Sequence, residues 1–132
     1  MLKSKKSQWI LSITVIILLV IVYYFGIMKI FSEPEIETLS FDTQKWQSVT
    51  LYTMENTRYL MLEDLFGKHE LIGMNEKEIL DLLGPQSDPS YFQEWDLRYW
   101  LGPEPSPFGV DSIWLLLKLE ESRVTEYKLL TD

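Results

Sequence analysis

The sequence predicts an α+β fold in which an N-terminal transmembrane helix precedes two helices packed on a three-stranded antiparallel sheet. Three observations predict it. Residues 7–28 carry no charge and are dominated by Ile, Leu and Val. Residues 71–85 read as one short helix with both ends written into it. Residues 95–130 alternate apolar and polar side chains in three runs separated by turn-forming residues, the period of half-buried strands.

With 132 residues and no internal repeat or low-complexity tract, the chain has room for one folded domain beyond its N-terminal segment. The 22 uncharged residues of that segment span roughly 33 Å as a helix, against a hydrocarbon core of about 30 Å. Trp9 at one end and Tyr23, Tyr24 and Phe25 towards the other suit the two interfaces, and Lys29 can extend its amine to headgroups. A cleaved signal peptide shares this polarity, but its apolar region is only about 7–15 residues long, and no Ala-x-Ala-like site follows here. Residues 7–31 are therefore read as an uncleaved anchor in a lipid bilayer. Lys3, Lys5 and Lys6 hold residues 1–6 in the cytoplasm, while the far flank has Lys29 and then Glu33, Glu35 and Glu37. The expected product is a single-pass cell-membrane protein whose folded domain faces outwards.

Residues 32–40, with Pro34 and alternating glutamates, form a short tether that keeps the domain near the membrane surface. The domain itself occupies residues 41–132. Its first stretch, residues 41–53, has a mixed pattern that assigns Phe41, Trp46, Val49 and Leu51 to the core without fixing an element. Residues 55–66 predict the first helix, because Tyr59, Leu62, Leu65 and Phe66 recur at three- and four-residue spacing; Gly67 ends it. In the connection that follows, Leu71 and Ile72 are expected to be buried.

The second helix is the best-marked element. Asn75 is a favoured N-cap, Glu78 stands where its carboxylate reaches back to the cap's own amide, and Met74 and Ile79 are spaced as a hydrophobic staple. Gly84 supplies a left-handed C-terminal residue and Pro85 prevents continuation, so the helix has about two turns. Ile79, Leu80, Leu82 and Leu83 give it an apolar side.

Residues 86–90 read as a turn and residues 91–101 as the first strand, with Trp95, Leu97, Tyr99 and Leu101 on one face and Asp96 and Arg98 paired on the other. Pro103, Pro105 and Pro107 make residues 102–109 a stiff loop, since none can donate to a sheet ladder. Residues 112–120 are apolar on both faces near their start, which marks the central strand, with Ile113, Leu115, Leu117 and Leu119 opposite Trp114, Leu116 and Lys118. A tight turn at residues 120–122 returns the chain as a third strand to residue 130.

Charge and composition exclude several function classes. All 20 acidic residues lie at or after Glu33, so residues 32–132 hold eight basic groups and 20 acidic ones, a net charge of −12. Such a domain repels phosphate backbones, which argues against nucleic-acid binding. There is no cysteine, hence no disulfide, thiolate metal site, cysteine nucleophile or lipidated N-terminal cysteine. No calcium loop, phosphate-cradling glycine loop or zinc spacing is present. The single histidine, His69, lies in a linker without a nucleophile-elbow serine, and the pairs Glu63/Asp64, Glu76/Glu78 and Glu120/Glu121 sit at helix or turn positions. No enzyme, cofactor, metal or small-molecule substrate is expected.

The core of the second helix, Gly73-Met74, Glu78-Ile79 and Leu82-Leu83-Gly84-Pro85, followed by a Trp/Tyr-bearing strand and a closing hairpin, resembles the SmpA/OmlA (BamE-like) family of small envelope lipoproteins. The likeness covers residues 55 to 130. It implies two helices on a three-stranded antiparallel sheet, as in each half of the β-lactamase inhibitor protein, and an accessory role in outer-membrane protein assembly. Three further stretches, Arg58-x-x-Met61-x-x-Asp64-Leu65, Tyr99-x-Leu101-Gly102-Pro103-Glu104 and Gly109-x-Asp111-Ser112-x-Trp114-Leu115, resemble small bacterial membrane proteins and lipoproteins without a described activity. This chain carries a membrane helix in place of the family's lipidated cysteine, so only fold and general role are carried over.

The expected binding surface is the loop from Trp100 to Trp114. Trp100 and Trp114 lie opposite the leucine-bearing faces, with Glu104, Phe108 and Asp111 between them, and exposed aromatics beside fixed polar groups suit a protein contact. The alternative is a second layer, such as residues 41–53, covering both tryptophans, with Asp111 capping the loop. The expected partner is another envelope protein that this module assists; the alternative is an inhibitor or immunity-type protein whose acidic surface blocks a basic partner.

Overall fold

The computed structural model describes residues 4–31, 37–51 and 55–132. The chain divides into two units, Met1–Glu35 and Ile36–Asp132. The first is α1 (Lys5–Phe31), 27 residues with none buried, long and apolar enough to cross a membrane. It begins two residues before the expected uncharged run. Two of its hydroxyls bond within the helix: Ser12 Oγ donates to Gln8 O at 3.0 Å and Thr14 Oγ1 to Ile10 O at 2.9 Å.

The second unit is α+β. The untyped stretch before residue 52 contains a short helix, α2 (Thr43–Ser48), capped by Asp42 accepting from Lys45 N at 2.7 Å. The single helix expected over residues 55–66 is two, α3 (Thr57–Leu60) and α4 (Leu62–Lys68). The break falls at Met61, whose N–H takes the carbonyl of Arg58, three residues back, at 3.1 Å; this tight turn re-aims α4, which then runs through Gly67. The helix α5 (Glu76–Leu83) carries both halves of its capping box, Glu78 N to Asn75 Oδ1 at 2.9 Å and Asn75 N to Glu78 Oε2 at 2.8 Å. It ends at Gly84, with φ +75°, where a Cβ would press on the Gln47 side chain.

Strands β1 (Leu97–Pro103), β2 (Ser112–Glu120) and β3 (Arg123–Thr131) form an antiparallel meander with β2 central. Its β2–β3 turn places Glu121 and Ser122 at φ +49° and +61°, the twist that suits a two-residue hairpin. The strand expected from residue 91 starts only at Leu97. Phe92 sits at φ +45° and Trp95 N bonds Phe92 O, so residues 91–96 fold back as turns instead of extending. The expected Asp96–Arg98 pair is replaced by two separate bonds: Asp96 accepts from Leu119 N, and the buried Arg98 donates to Phe92 O and Gln86 Oε1.

Both faces of the sheet are covered. On one, Leu97, Tyr99, Leu101, Ile113, Leu115, Leu117 and Val124 pack with Trp46, Met61, Leu65, Leu71, Ile79 and Leu83 from the helical side. On the other, Trp95, Trp100, Trp114 and Leu116 pack beneath Val49, Leu51, Tyr91 and Phe92. Ile72, expected in the core, is exposed, and Leu71 alone of that pair is buried. The domain starts by two tethering bonds: Leu39 N donates to Leu60 O at 2.8 Å and Phe41 N to Asp64 Oδ2 at 2.5 Å.

Arg58 joins these layers. Its buried guanidinium donates from Nε to Trp46 O (2.9 Å), from Nη1 to Ser87 Oγ (3.1 Å) and Trp100 O (3.0 Å), and from Nη2 to Val49 O (3.3 Å), and it lies 5.3 Å over the Trp46 ring. Burial lowers its pKa to about 10, so it stays charged at neutral pH. Arg58→Met removes the guanidinium from three backbone carbonyls, of which Trp46 O keeps the Val49 amide, and is expected to cost about 2–5 kcal/mol, at ~1–3 kcal/mol per buried acceptor left unmet. Arg58→Lys keeps the charge but not the fork and should lose more than about 2 kcal/mol. Urea unfolding of the full chain followed by tryptophan fluorescence measures both; a lysine variant of unchanged stability would show that the fork geometry is immaterial.

The carboxyl of Asp64 is held below the usual range first by the Lys68 ammonium at 2.6 Å and then by the Phe41 amide. A carboxylate with a depressed folded pKa stabilises above its unfolded value, about 3.9, and loses that effect as pH falls through the folded value. Asp64→Asn is therefore expected to lower the urea midpoint at pH 7, with the difference from the unsubstituted protein shrinking as pH falls through the depressed folded-state range of Asp64.

Candidate functional site

The five residues expected to form a binding surface separate into a buried pair and an exposed loop. Trp100 and Trp114 face one another in register across β1 and β2, and they are 2% and 0% exposed. Tyr91 stacks on Trp114 at 4.9 Å and Phe92 meets its edge at 6.1 Å, while Val49 and Leu51 complete the cover. The Trp114 indole donates to Asp132 Oδ2 at 3.2 Å. These tryptophans are core, not contact surface. The covering layer comes in part from the expected stretch and mainly from residues 91–92, which the strand reading had placed in the sheet.

Glu104, Phe108 and Asp111 lie on the β1–β2 loop. Three backbone bonds brace it: Glu104 N to Asp111 O at 2.8 Å, Ser106 N to Glu104 O at 2.8 Å and Gly109 N to Ser106 O at 3.0 Å. Gly109 is required, because a Cβ there would collide with the Glu104 carbonyl. The braced tip presents Phe108, 88% exposed, and Val110, 91% exposed. Asp111 closes the loop through its backbone carbonyl. Val110 was not singled out in the sequence, although its place beside Phe108 between two acids was a readable signal.

A second surface was not foreseen. Thr38, Tyr59, Leu62, Glu63, Phe66 and Leu129 line a shallow groove of about 370 Å³, beside which Phe66 stacks on Tyr127 at 5.0 Å. The groove meets β3, an outer strand of the meander, at Leu129. At its start β3 is occupied on the outside, since Val124 exchanges bonds with Met74 O and Gly73 N and Arg123 bonds Gly73 O. Towards its end, Asp132 N bonds inwards to Ser112 O, so the alternation turns the amides of Tyr127, Leu129 and Thr131 outwards, where no strand of the sheet lies. A meander always leaves its last strand at an edge, which was the available signal.

The titratable groups serve structure. Tyr99, whose pKa burial pushes up, donates its hydroxyl to Gly84 O at 2.9 Å. His69 is half-buried with its ring edge-on to Phe41 at 5.5 Å. Glu78 completes the capping box and Asp64 tethers Phe41. Among the described residues, no three His, Asp or Glu side chains gather as a metal site requires. The chain matches no known protein family, no curated protein and no solved structure.

The division between core and loop is testable. Trp100→Ala should lower stability by about 3–5 kcal/mol, the cost of emptying a packed aromatic site, whereas Phe108→Ser should leave the urea midpoint unchanged. The reverse order would return Trp100 to the surface.

Proposed function

We propose that this is a single-pass membrane protein, anchored by α1 with residues 1–6 in the cytoplasm, whose outward-facing domain binds another envelope protein and performs no chemistry itself. The observation that carries the reading is the outer edge of β3, open beside an apolar groove on a strongly acidic domain. An edge strand offers its amides and carbonyls to an added strand, and a neighbouring groove takes that strand's alternate side chains. Residues 37–132 hold 18 acidic and eight basic side chains, and Arg58 and Arg98 of the latter are buried. The complementary partner is an extended segment that alternates apolar with basic residues. The apolar α1 and the resemblance of the stretch from Gly73 to Pro85 to the BamE-like family support an accessory role in envelope protein assembly or maintenance.

The same acidic surface supports a second reading, an inhibitor or immunity-type protein that blocks a basic partner. A photo-crosslinking residue at Thr131, on the same outward row as Leu129 and used in the full-length protein in its native membrane, separates the two. The accessory reading expects one envelope protein to be captured through an extended segment, with capture lost in Leu129→Pro, which removes an outward amide without breaking the ladder to β2. Capture of a basic enzyme, weakened by salt and accompanied by loss of its activity, would favour the inhibitor. Crosslinks unaffected by Leu129→Pro would remove β3 from either reading.

A further inference from the structure

We propose that the β1–β2 loop is a lipid-dipping finger, with Phe108 and Val110 entering the interface of the bilayer that α1 spans and holding that end of the domain against it. The inference rests on the reading of α1 as a membrane anchor. It starts from the composition of the tip. Residues 105–110 are uncharged in a domain where nearly one residue in five is acidic. Phe108 and Val110 are 88% and 91% exposed, whereas among the described residues the other exposed large apolar side chains of the domain reach at most 43%.

The backbone of the tip is also prepared for a layer poor in water. Pro105 and Pro107 have no N–H, and the amides of Glu104, Ser106 and Gly109 are bonded inside the loop. Few donors are left to lose hydration, which is the main cost of bringing irregular backbone towards lipid. A braced, proline-stiffened tip also loses little conformational entropy on insertion.

Connectivity selects lipid as the occupant. The chain enters the domain at Thr38 and Leu39, where Leu39 N is bonded to Leu60 O and Thr38 lines a groove with Leu129. Leu129 pairs with Leu115 and Thr131 with Ile113, beside the Pro103–Ser112 pair from which the loop leaves the sheet. The point of entry and the finger therefore share one end of the domain. The opposite end carries Glu120 and Glu121 in the β2–β3 turn and Glu76 at the start of α5. Only seven peptide steps separate Phe31 from Thr38, so the chain between the end of α1 and the point of entry can reach at most about 25 Å. Glu104 and Asp111 at the base of the loop confine insertion to the shallow interface and disfavour anionic lipid.

The absence of cysteine makes the test direct. Single-cysteine variants of the full-length protein, Val15→Cys in α1, Phe108→Cys in the finger and Glu121→Cys at the opposite end, are labelled with an environment-sensitive fluorophore and reconstituted into phosphatidylcholine vesicles with nitroxide-bearing lipids. The Val15 and Phe108 labels are expected to be quenched by the lipid nitroxides, and the Glu121 label only by aqueous iodide. Adding Val110→Asp to Phe108→Cys should abolish its lipid quenching, and phosphatidylglycerol should weaken it. A Phe108 label that behaves like the Glu121 label, while Val15 is quenched, overturns the finger and leaves the anchor standing. Quenching that persists with Val110→Asp shows insertion driven by the dye and overturns it as well. An unquenched Val15 label overturns the anchor reading, and the finger with it.

Discussion

A cationic side chain buried among neutral acceptors sets the terms for the rest of the domain. Taking a guanidinium out of water costs several kcal/mol, and among the described residues Arg58 meets no carboxylate that would offset this directly. Instead it spreads its charge over three backbone carbonyls, a serine hydroxyl and the face of Trp46. Bonds from a charged donor contribute about 1.5–3 kcal/mol each, so four of them offset the burial only if all form together. The arrangement is all-or-nothing, and it joins pieces of chain distant in sequence. The carbonyls of Trp46 and Val49 belong to the stretch before α3, that of Trp100 to a sheet strand, and Ser87 to the loop after α5.

Arg58 grips β1 just ahead of its bulge. Between Trp100 and Gly102 the register with β2 slips by one residue, and Gly102 takes φ +135°. Before the slip, regular alternation turns the backbone of Arg98 and Trp100 to the outer edge. There the Trp100 carbonyl accepts from Arg58 and the Trp100 amide donates to Ser87 Oγ at 2.9 Å. Ser87 also ties its own amide to Arg98 O at 2.8 Å. The loop after α5 is thus fastened along the outer edge of β1, and from there it crosses the second face of the sheet to lay Tyr91 and Phe92 over Trp114. Arg98 fixes that crossing by donating to Phe92 O at 3.0 Å and Gln86 Oε1 at 2.8 Å.

Local signals made the capped helix, the meander and the central place of β2 legible. A capping box and a two-residue turn are decided within a few residues, and the two-sided apolarity of residues 113–117 speaks for itself. What was not legible depended on distant partners. The apolar spacing of residues 55–66 holds on both sides of Met61 and gives no hint that the helix breaks there. Trp95 fits a strand alternation, yet the left-handed Phe92 bends its stretch out of the sheet. Trp100 and Trp114 looked like a contact surface because their cover comes from elements that pattern alone leaves as loops. Arg58 stood inside a quoted motif without its role being visible, since all four acceptors lie nine or more residues away. The candidate loop was legible in part: Glu104, Phe108 and Asp111 lie where expected, but the tip owes its exposure to Val110 as much as to Phe108.

The covering of both sheet faces by the domain's own chain narrows where recognition can occur. Once helices close one face and the residues 91–92 turn closes the other, neither broad surface of the sheet remains for a partner. Two kinds of feature are left: the backbone row at the end of β3, and the loop tip carried beyond the sheet between β1 and β2. They differ in chemistry. The strand edge presents a row of outward amides and carbonyls, whereas the tip bonds the amides of Glu104, Ser106 and Gly109 within the loop, has two prolines without an N–H, and presents apolar side chains. A regular row of backbone donors and acceptors suits an added strand, and an apolar tip with few free donors suits lipid. Because both lie towards the end where the chain enters the domain, a finger resting on the bilayer would hold β3 and its groove close to the membrane surface, where an extended segment of another envelope protein is most readily met.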